Sequence, residues 1–402
     1  MREAKKITRI MSGTDAVAEA VKLLDIDVIA GYPIRPYTVV QNAVANHIAN
    51  GELDADFFWA DCEHSQFEIC KHAALTGARV FTGSSGVGWA QGFEPIVIIP
   101  TLRLPMVLML GNRAFDDPGT FGVEWNDAFT SRDLGYLMCW PESPQEAFDF
   151  TIMAYKISEN KEVYLPSIVN IEGGVLTHVA RPVEVPSKDE ILEYVPPLEL
   201  AFRMHPDKPM TYGAQVDSEG LMVLCEMRRQ AAEAMENAKK FTEEAHKEFY
   251  QKWGRQEDPY FEDYYAGDAE VVLFTMGTMG WGIRPVVREL RKEGKKVGYI
   301  RLKRFRPFPD EELKEKLAKY KTVGICDREV SLGAPKGGGV IFQEVRSSLY
   351  DAPSRPLLVN FYAGLGGREV DPPAAKEMYE TLLKIAKTGK VEEPVRWIGL
   401  RR

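Results

Sequence analysis

Apolar and polar positions come in short alternating blocks along the first 175 residues. Ile26-Asp27-Val28-Ile29-Ala30 is an apolar run closed by Gly31-Tyr32-Pro33, the pattern of a buried parallel strand ended by a turn. Runs at 56–60, 79–83, 95–99, 106–111 and 163–171 predict further strands. Between them, 14–24, 37–49 and a segment beginning near Glu63 predict helices, and Ser12 and Thr14 offer capping chemistry to the first. Strands alternating with helices predict a doubly wound, mostly parallel α/β sheet.

The pattern then changes. Residues 176–215 are rich in proline and weakly periodic, which predicts a long surface excursion. Residues 218–253 carry dense Ala, Glu and Lys without proline and predict one long helix linking two domains. An acidic, aromatic stretch at 254–267 reads as a linker. A second, smaller α/β domain follows over 268–402, with strands at 271–276, 296–302 and 322–327, a glycine turn at 277–282 and a helix at 285–293. The first domain is accordingly drawn as 1–253.

Composition narrows the class. A chain of 402 residues with 45% hydrophobic and 27% charged content is expected to form two or three soluble domains. A formal net charge of −9 argues against nucleic acid or an anionic membrane as partner. The longest apolar stretch, 95–111, is broken by two prolines and Arg103, so no membrane span is expected. No signal peptide is evident, and the five cysteines are scattered with no C-x-x-C pair. The expectation is a cytoplasmic protein that holds no metal and no iron–sulfur cluster of its own.

Candidate chemistry gathers at predicted strand ends. Arg35 lies between Pro33 and Pro36 just past a strand, where open α/β folds bind ligands. A guanidinium on so rigid a turn suits a small carboxylate, and a surface salt bridge is the other reading. Glu63 stands where a strand end meets a helix start, which suits either a catalytic acid or a first-turn Glu stabilising the helix. Arg113 follows the apolar strand at 106–111. Beside it Asp116 and Asp117, flanked by Phe115, Gly119, Phe121 and Gly122, form either a mobile loop or an exposed turn. The glycine turns at 83–88 and 277–282 match neither a Walker loop nor a dinucleotide fingerprint, so close strand–helix packing explains them best. Ten Lys or Arg against two Glu over 284–306 read as a solvated helix face.

Several segments, in order, resemble one family. They are Tyr32-Pro33-Ile34-Arg35-Pro36, Glu63-His64-Ser65, the Thr-Gly-Ser-Ser-Gly turn at 82–86, Asn112-Arg113-Ala114, Trp125-Asn126-Asp127, Phe305-Arg306-Pro307-Phe308-Pro309 and Gly364-Leu365-Gly366-Gly367-Arg368. Together they resemble the α subunit of the 2-oxoacid:ferredoxin oxidoreductases, which are thiamin-diphosphate enzymes. The resemblance implies a thiamin-enzyme pyrimidine domain followed by a transketolase C-terminal-like domain. It implies that Glu63 meets N1′ of the aminopyrimidine, that Tyr32 and Pro33 border the cofactor, and that Arg113 binds a substrate carboxylate.

Two departures stand out. Arg35 replaces the family's threonine, and Phe115-Asp116-Asp117-Pro118-Gly119 replaces a small-residue stretch. Both look like the oxalate oxidoreductase branch, which converts oxalate to two molecules of CO2. A second fixed cation suits a dianion, so Arg35 and Arg113 are expected to bind oxalate, and Asp116 to swing in on a loop that switches between an aspartate and an aromatic. Pyruvate or another 2-oxoacid with coenzyme A is the alternative substrate, and a non-catalytic scaffold subunit is the alternative of another class. The chain lacks the Gly-Asp-Gly and asparagine pattern that holds diphosphate and Mg2+. A β subunit carrying thiamin diphosphate, Mg2+ and a [4Fe-4S] cluster, a further subunit with ferredoxin-type clusters, and ferredoxin as acceptor are therefore the expected partners, in a dimer of heterotrimers.

Overall fold

The computed structural model describes residues 7–115, 121–210 and 216–401. The chain forms two compact units, Met1–Asn112 with Thr130–Pro259, and Arg113–Phe129 with Tyr260–Arg402.

The first unit begins with β1 (Ile7–Met11), α1 (Gly13–Lys22), β2 (Val28–Gly31), α2 (Thr38–Ala49), β3 (Asp56–Trp59), α3 (Glu63–Leu75) and β4 (Val80–Ser84). Then come α4 (Gly86–Gln91), α5 (Phe93–Ile98) and β5 (Val107–Asn112). After α6 (Asn126–Phe129), which belongs to the other unit, follow β6 (Leu137–Cys139), α7 (Pro144–Ser158), β7 (Ser167–Glu172), β8 (Arg181–Val185), α8 (Lys188–Tyr194) and α9 (Leu224–Trp253). Six strands run in the order β6-β7-β5-β4-β2-β3, every neighbouring pair parallel. β4, β5 and β7 are buried along their whole length, as the near-continuous apolar runs of a covered parallel sheet require. α1 opens with a capping box in which Ser12 and Asp15 satisfy each other's backbone N–H groups, and its apolar face packs on α7 and α2.

Two expectations change here. Residues 95–99 are not a strand but the body of α5. Gly92, Pro95, Ile96 and Ile99 are buried, a spacing of three and four that belongs to a helix face. Pro95 sits in the first turn, where its missing N–H would have had no partner. The 176–215 excursion also contains structure: β8 pairs antiparallel with β1, and α8 carries a Ser187–Glu190 capping box. Val183, Val185, Ile191 and Tyr194 are buried there. The short elements between prolines were too brief to show a period.

The second unit continues with β9 (Phe261–Tyr264), β10 (Val271–Met276), α10 (Gly280–Lys292), β11 (Val297–Leu302), β12 (Arg304–Arg306) and α11 (Asp310–Leu317). It ends with β13 (Thr322–Asp327), α12 (Val340–Ser348), β14 (Leu357–Tyr362), α13 (Pro372–Thr388) and β15 (Val395–Trp397). Its sheet runs β15-β14-β13-β10-β11-β9. All neighbours are parallel except β9, so part of the stretch read as a linker is an antiparallel edge strand. The glycine turn serves packing: a Cβ at Gly282 would lie 1.7 Å from the carbonyl oxygen of Val370. Only part of the basic stretch is a solvated face: Arg288, Lys292 and Lys296 are exposed, whereas other members are buried or paired. Arg301 is fully buried against Glu262, which also accepts from Arg284, and Arg291 pairs with Asp268. No helix among the described residues is long and apolar enough to cross a membrane.

A buried ion pair ties the first unit together at the entrance to β4. Arg79 bonds Glu159 through Nε and Nη2, each at 2.7 Å, and donates to the carbonyls of Leu24 and Pro196. Both side chains are almost wholly buried. Arg79→Met would leave Glu159 buried and without its partner, and is expected to cost about 3–5 kcal/mol of stability. Pairing it with Glu159→Leu should restore much of that loss. Denaturation midpoints of the three proteins check this.

Candidate active site

The strand order of the first unit reverses between β2 and β4, which lie side by side with their C-terminal ends at one edge. Such a reversal opens a crevice outside those ends. β2 delivers the turn Tyr32–Pro36 to it. Tyr32 and Ile34 are half-buried, Pro33 and Arg35 are exposed, and Pro36 is buried. The turn is fastened by Gln66, a fully buried residue one helical turn after Glu63. Gln66 Oε1 accepts from Tyr32 N at 2.6 Å. Its Nε2 donates to Thr82 Oγ1 at 2.8 Å and to the carbonyl of Gly83. Sequence reasoning stopped one residue short of Gln66. The signal was there: a polar residue spaced one turn from Glu63, with apolar Phe67 and Cys70 around it on the buried face.

Glu63 is the first residue of α3, and the N-cap Cys62 makes no side-chain cap. Its side chain is only 2% exposed, whereas His64 points to solvent and meets Glu94 at 3.2 Å. Helix α4 comes close because residue 88 is glycine: a Cβ there would lie 2.2 Å from Glu63 Oε1. Among the described residues Glu63 Oε2 has no hydrogen-bond partner. Burial raises the carboxyl's pKa above its ordinary 4.5, with its own backbone N–H pulling weakly the other way. A buried, partnerless carboxyl oxygen that favours its proton fits the ring nitrogen of an aminopyrimidine.

Arg113 follows the last residue of β5 and belongs to the second unit. It is half-buried, and its backbone N–H is held by the buried carboxylate of Asp127 at 2.9 Å. Its guanidinium lies 4.6 Å from the ring centroid of Phe121, which is 68% exposed. Ala114 N donates to the Gly122 carbonyl at 3.0 Å, closing the base of the loop. Gly366 N to Glu124 Oε1 and Gly367 N to the Val123 carbonyl fix the return strand. Phe115 is half-buried, and Asp116, Asp117 and Gly119 lie outside the described residues. The structure thus brings Tyr32, Pro33, Arg35 and Glu63 to one edge of the first unit, and sets Arg113 and Phe121 against each other in the second.

Because the folded state raises the Glu63 pKa, it binds the proton more tightly than the unfolded chain does. Stability therefore falls as pH rises from the unfolded pKa through the folded one. Glu63→Gln removes that loss. The variant is expected to have a higher denaturation midpoint than the parent at about pH 7–8 and the same midpoint well below pH 4.5.

Residues 19–247 match the family model described as pyruvate flavodoxin/ferredoxin oxidoreductase, thiamine diP-bdg, and residues 269–374 match pyruvate:ferredoxin oxidoreductase core domain II. The pyruvate synthase subunit PorA of Pyrococcus furiosus is 36% identical over 396 residues, covering 98% of each chain. The ketoisovalerate oxidoreductase subunit VorA of Pyrococcus abyssi is 34% identical over 403 residues, covering 100% of each. In fold, the chain is similar to the 2-oxoglutarate:ferredoxin oxidoreductase of Magnetococcus marinus, with a TM-score of 0.68 at 18% identity over 94% of this chain and 65% of that one. A split-gene transketolase matches with a TM-score of 0.53 at 14% identity, over 94% of this chain and 96% of the other. The chain belongs to the pyruvate flavodoxin/ferredoxin oxidoreductase family and is an α subunit of its 2-oxoacid:ferredoxin oxidoreductases.

Proposed function

We propose that this chain receives the aminopyrimidine end of thiamin diphosphate in a complex that oxidises a 2-oxoacid and passes electrons to ferredoxin. The observation that carries the reading is the buried, unpartnered Oε2 of Glu63 at the strand-order reversal. When bound, thiamin diphosphate supplies the nucleophilic carbon and the electron sink. Glu63 holds a proton at Oε2 against the ring nitrogen, and its burial, which raises the carboxyl's pKa, favours that protonated form. Tyr32 and Pro33 border the ring, and Arg113 takes the substrate carboxylate. A scaffold subunit would have no reason to keep an uncompensated carboxyl in a buried position, since its burial costs stability. A β subunit holding diphosphate, Mg2+ and a [4Fe-4S] cluster, with a further cluster-bearing subunit, completes the proposed cytoplasmic assembly, a dimer of heterotrimers.

Pyruvate is the substrate that the relatives' names support best. Oxalate is the second reading, and one residue favours it: Arg35 stands where the family motif has threonine. Oxalate is a dianion with a poorly electrophilic carbon, and attack on it concentrates negative charge on its oxygens. A second guanidinium answers that charge more strongly in a dry site than in water. In this reading Asp116 enters after the first CO2 leaves and disfavours the remaining carboxylate by repulsion.

The purified complex decides between the two. Ferredoxin reduction with pyruvate and coenzyme A, and none with oxalate, carries the first reading; reduction with oxalate alone carries the second. Under the second, Arg35→Thr is expected to remove about 2–4 kcal/mol of transition-state stabilisation. Oxalate turnover would then fall by roughly 30- to 900-fold with the fold intact. Glu63→Gln is expected to lower turnover by about 10²-fold or more on either substrate, and unchanged turnover would leave only the scaffold.

A further inference from the structure

The strand on the other side of the reversal ends in Ser84, and Ser85 follows. Both are fully buried, and among the described residues neither hydroxyl has a hydrogen-bond partner. Ser85 occupies the N-cap position of α4 without capping it. The Cβ that Gly88 lacks would lie 2.7 Å from Ser84 Oγ as well as 2.2 Å from Glu63 Oε1. The hydroxyl and the carboxyl therefore both pack against the face of α4 that glycine leaves bare.

Buried hydroxyls are nearly always bonded, so a single orphan calls for a reason and a cluster for a common one. Among the described residues Glu63 Oε2, Ser84 Oγ, Ser85 Oγ and the Gln41 amide all lack partners. All of them belong to α2, α3, β4 and the residues flanking them. Thr82, two residues before Ser84 on the same strand, shows what a structural hydroxyl does there: it donates to the Ala30 carbonyl at 2.9 Å and accepts from Gln66. Ser84 does neither. Alanine at 84 would fill the same space, so the fold gains nothing from this hydroxyl.

We propose that Ser84 is a cofactor-contacting residue, its hydroxyl bonding the polar edge of the heteroaromatic amine ring that Glu63 receives. The proposal rests on the thiamin diphosphate reading above. Ser84 is held in place by β4, whose register against β5 runs to Ser84 opposite Leu110. The hydroxyl is thus presented by a strand rather than a loop, with little freedom left to lose on binding.

The purified complex, stripped of thiamin diphosphate and then titrated with it, tests the assignment. Ser84→Ala is expected to leave the denaturation midpoint of the stripped complex unchanged or slightly raised, because the lost hydroxyl had no partner. Its Kd for thiamin diphosphate, read from tryptophan fluorescence, is expected to rise about 3- to 10-fold, the worth of one neutral hydrogen bond. An unchanged Kd overturns the proposal. If the midpoint falls as well as the affinity, Ser84→Cys decides, being of similar size with a weaker hydrogen bond. A Kd between those of the parent and Ser84→Ala supports the contact, and one equal to the parent's overturns it. If Glu63→Gln raises Kd and Ser84→Ala does not, the cofactor reading stands and this assignment alone is lost. If the parent complex binds no thiamin diphosphate, the cofactor reading fails and Ser84 with it.

Discussion

One buried amide holds the functional edge of the first unit in shape. Gln66 makes three bonds to two separate segments from a single side chain: one to the turn after β2, and two to β4, at the hydroxyl of Thr82 and the carbonyl of Gly83. Gln66 is fully buried, so its amide must find its partners within the protein, and the Thr82 hydroxyl that accepts from it also donates to the Ala30 carbonyl. The three bonds fix the start of the Tyr32–Pro36 turn relative to α3, and so fix where Glu63 and Arg35 sit on the same edge. An apolar residue at 66 would pack well enough but remove all three of these bonds.

Around that clamp the chain treats polar groups in two ways. Some groups that support the fold are fully bonded, as with Arg79 between Glu159 and two carbonyls, or Arg255 on the buried Asp149. At the crevice the opposite holds: Glu63, Ser84 and Ser85 are buried and kept without partners. Such groups cost stability, and they are found where a ligand supplies the missing bond. The raised pKa of Glu63 has the same origin, since the burial that withholds a partner also disfavours the charge.

The second unit shows how distant motifs come to share one task. Arg113–Phe129 packs with the C-terminal sheet rather than with the strand it follows. Trp125 N donates to the Arg328 carbonyl, Phe129 stacks on Phe305 at 4.9 Å, and the glycines at 366 and 367 take Glu124 and Val123. The Trp125-Asn126-Asp127, Phe305-Arg306-Pro307 and Gly364–Arg368 motifs therefore belong to one local arrangement. Its product is a defined backbone at Arg113, held by the carboxylate of Asp127.

The sequence by itself determined the parallel strands, because β2, β4, β5 and β10 are buried on both faces and read as apolar runs bounded by glycine and proline. It determined the catalytic candidates too, since Arg35, Glu63 and Arg113 each fall at a strand end or helix start that local pattern marks. The apolar run at 95–99 was beyond it: five residues suit strand and helix alike, and only contact with the core selected the face of α5. β8 and α8 were equally hidden, being short elements stabilised by partners far along the chain, β1 and α7 among them. Only the tertiary structure could show that Gln66 clamps the turn, that Glu63 Oε2 and Ser84 Oγ are unpaired, and that Phe121 rests on Arg113. The strand pattern is local chemistry, a short run of apolar residues between turn residues. Whether a polar group has a partner depends on residues distant in the chain, which no local pattern records.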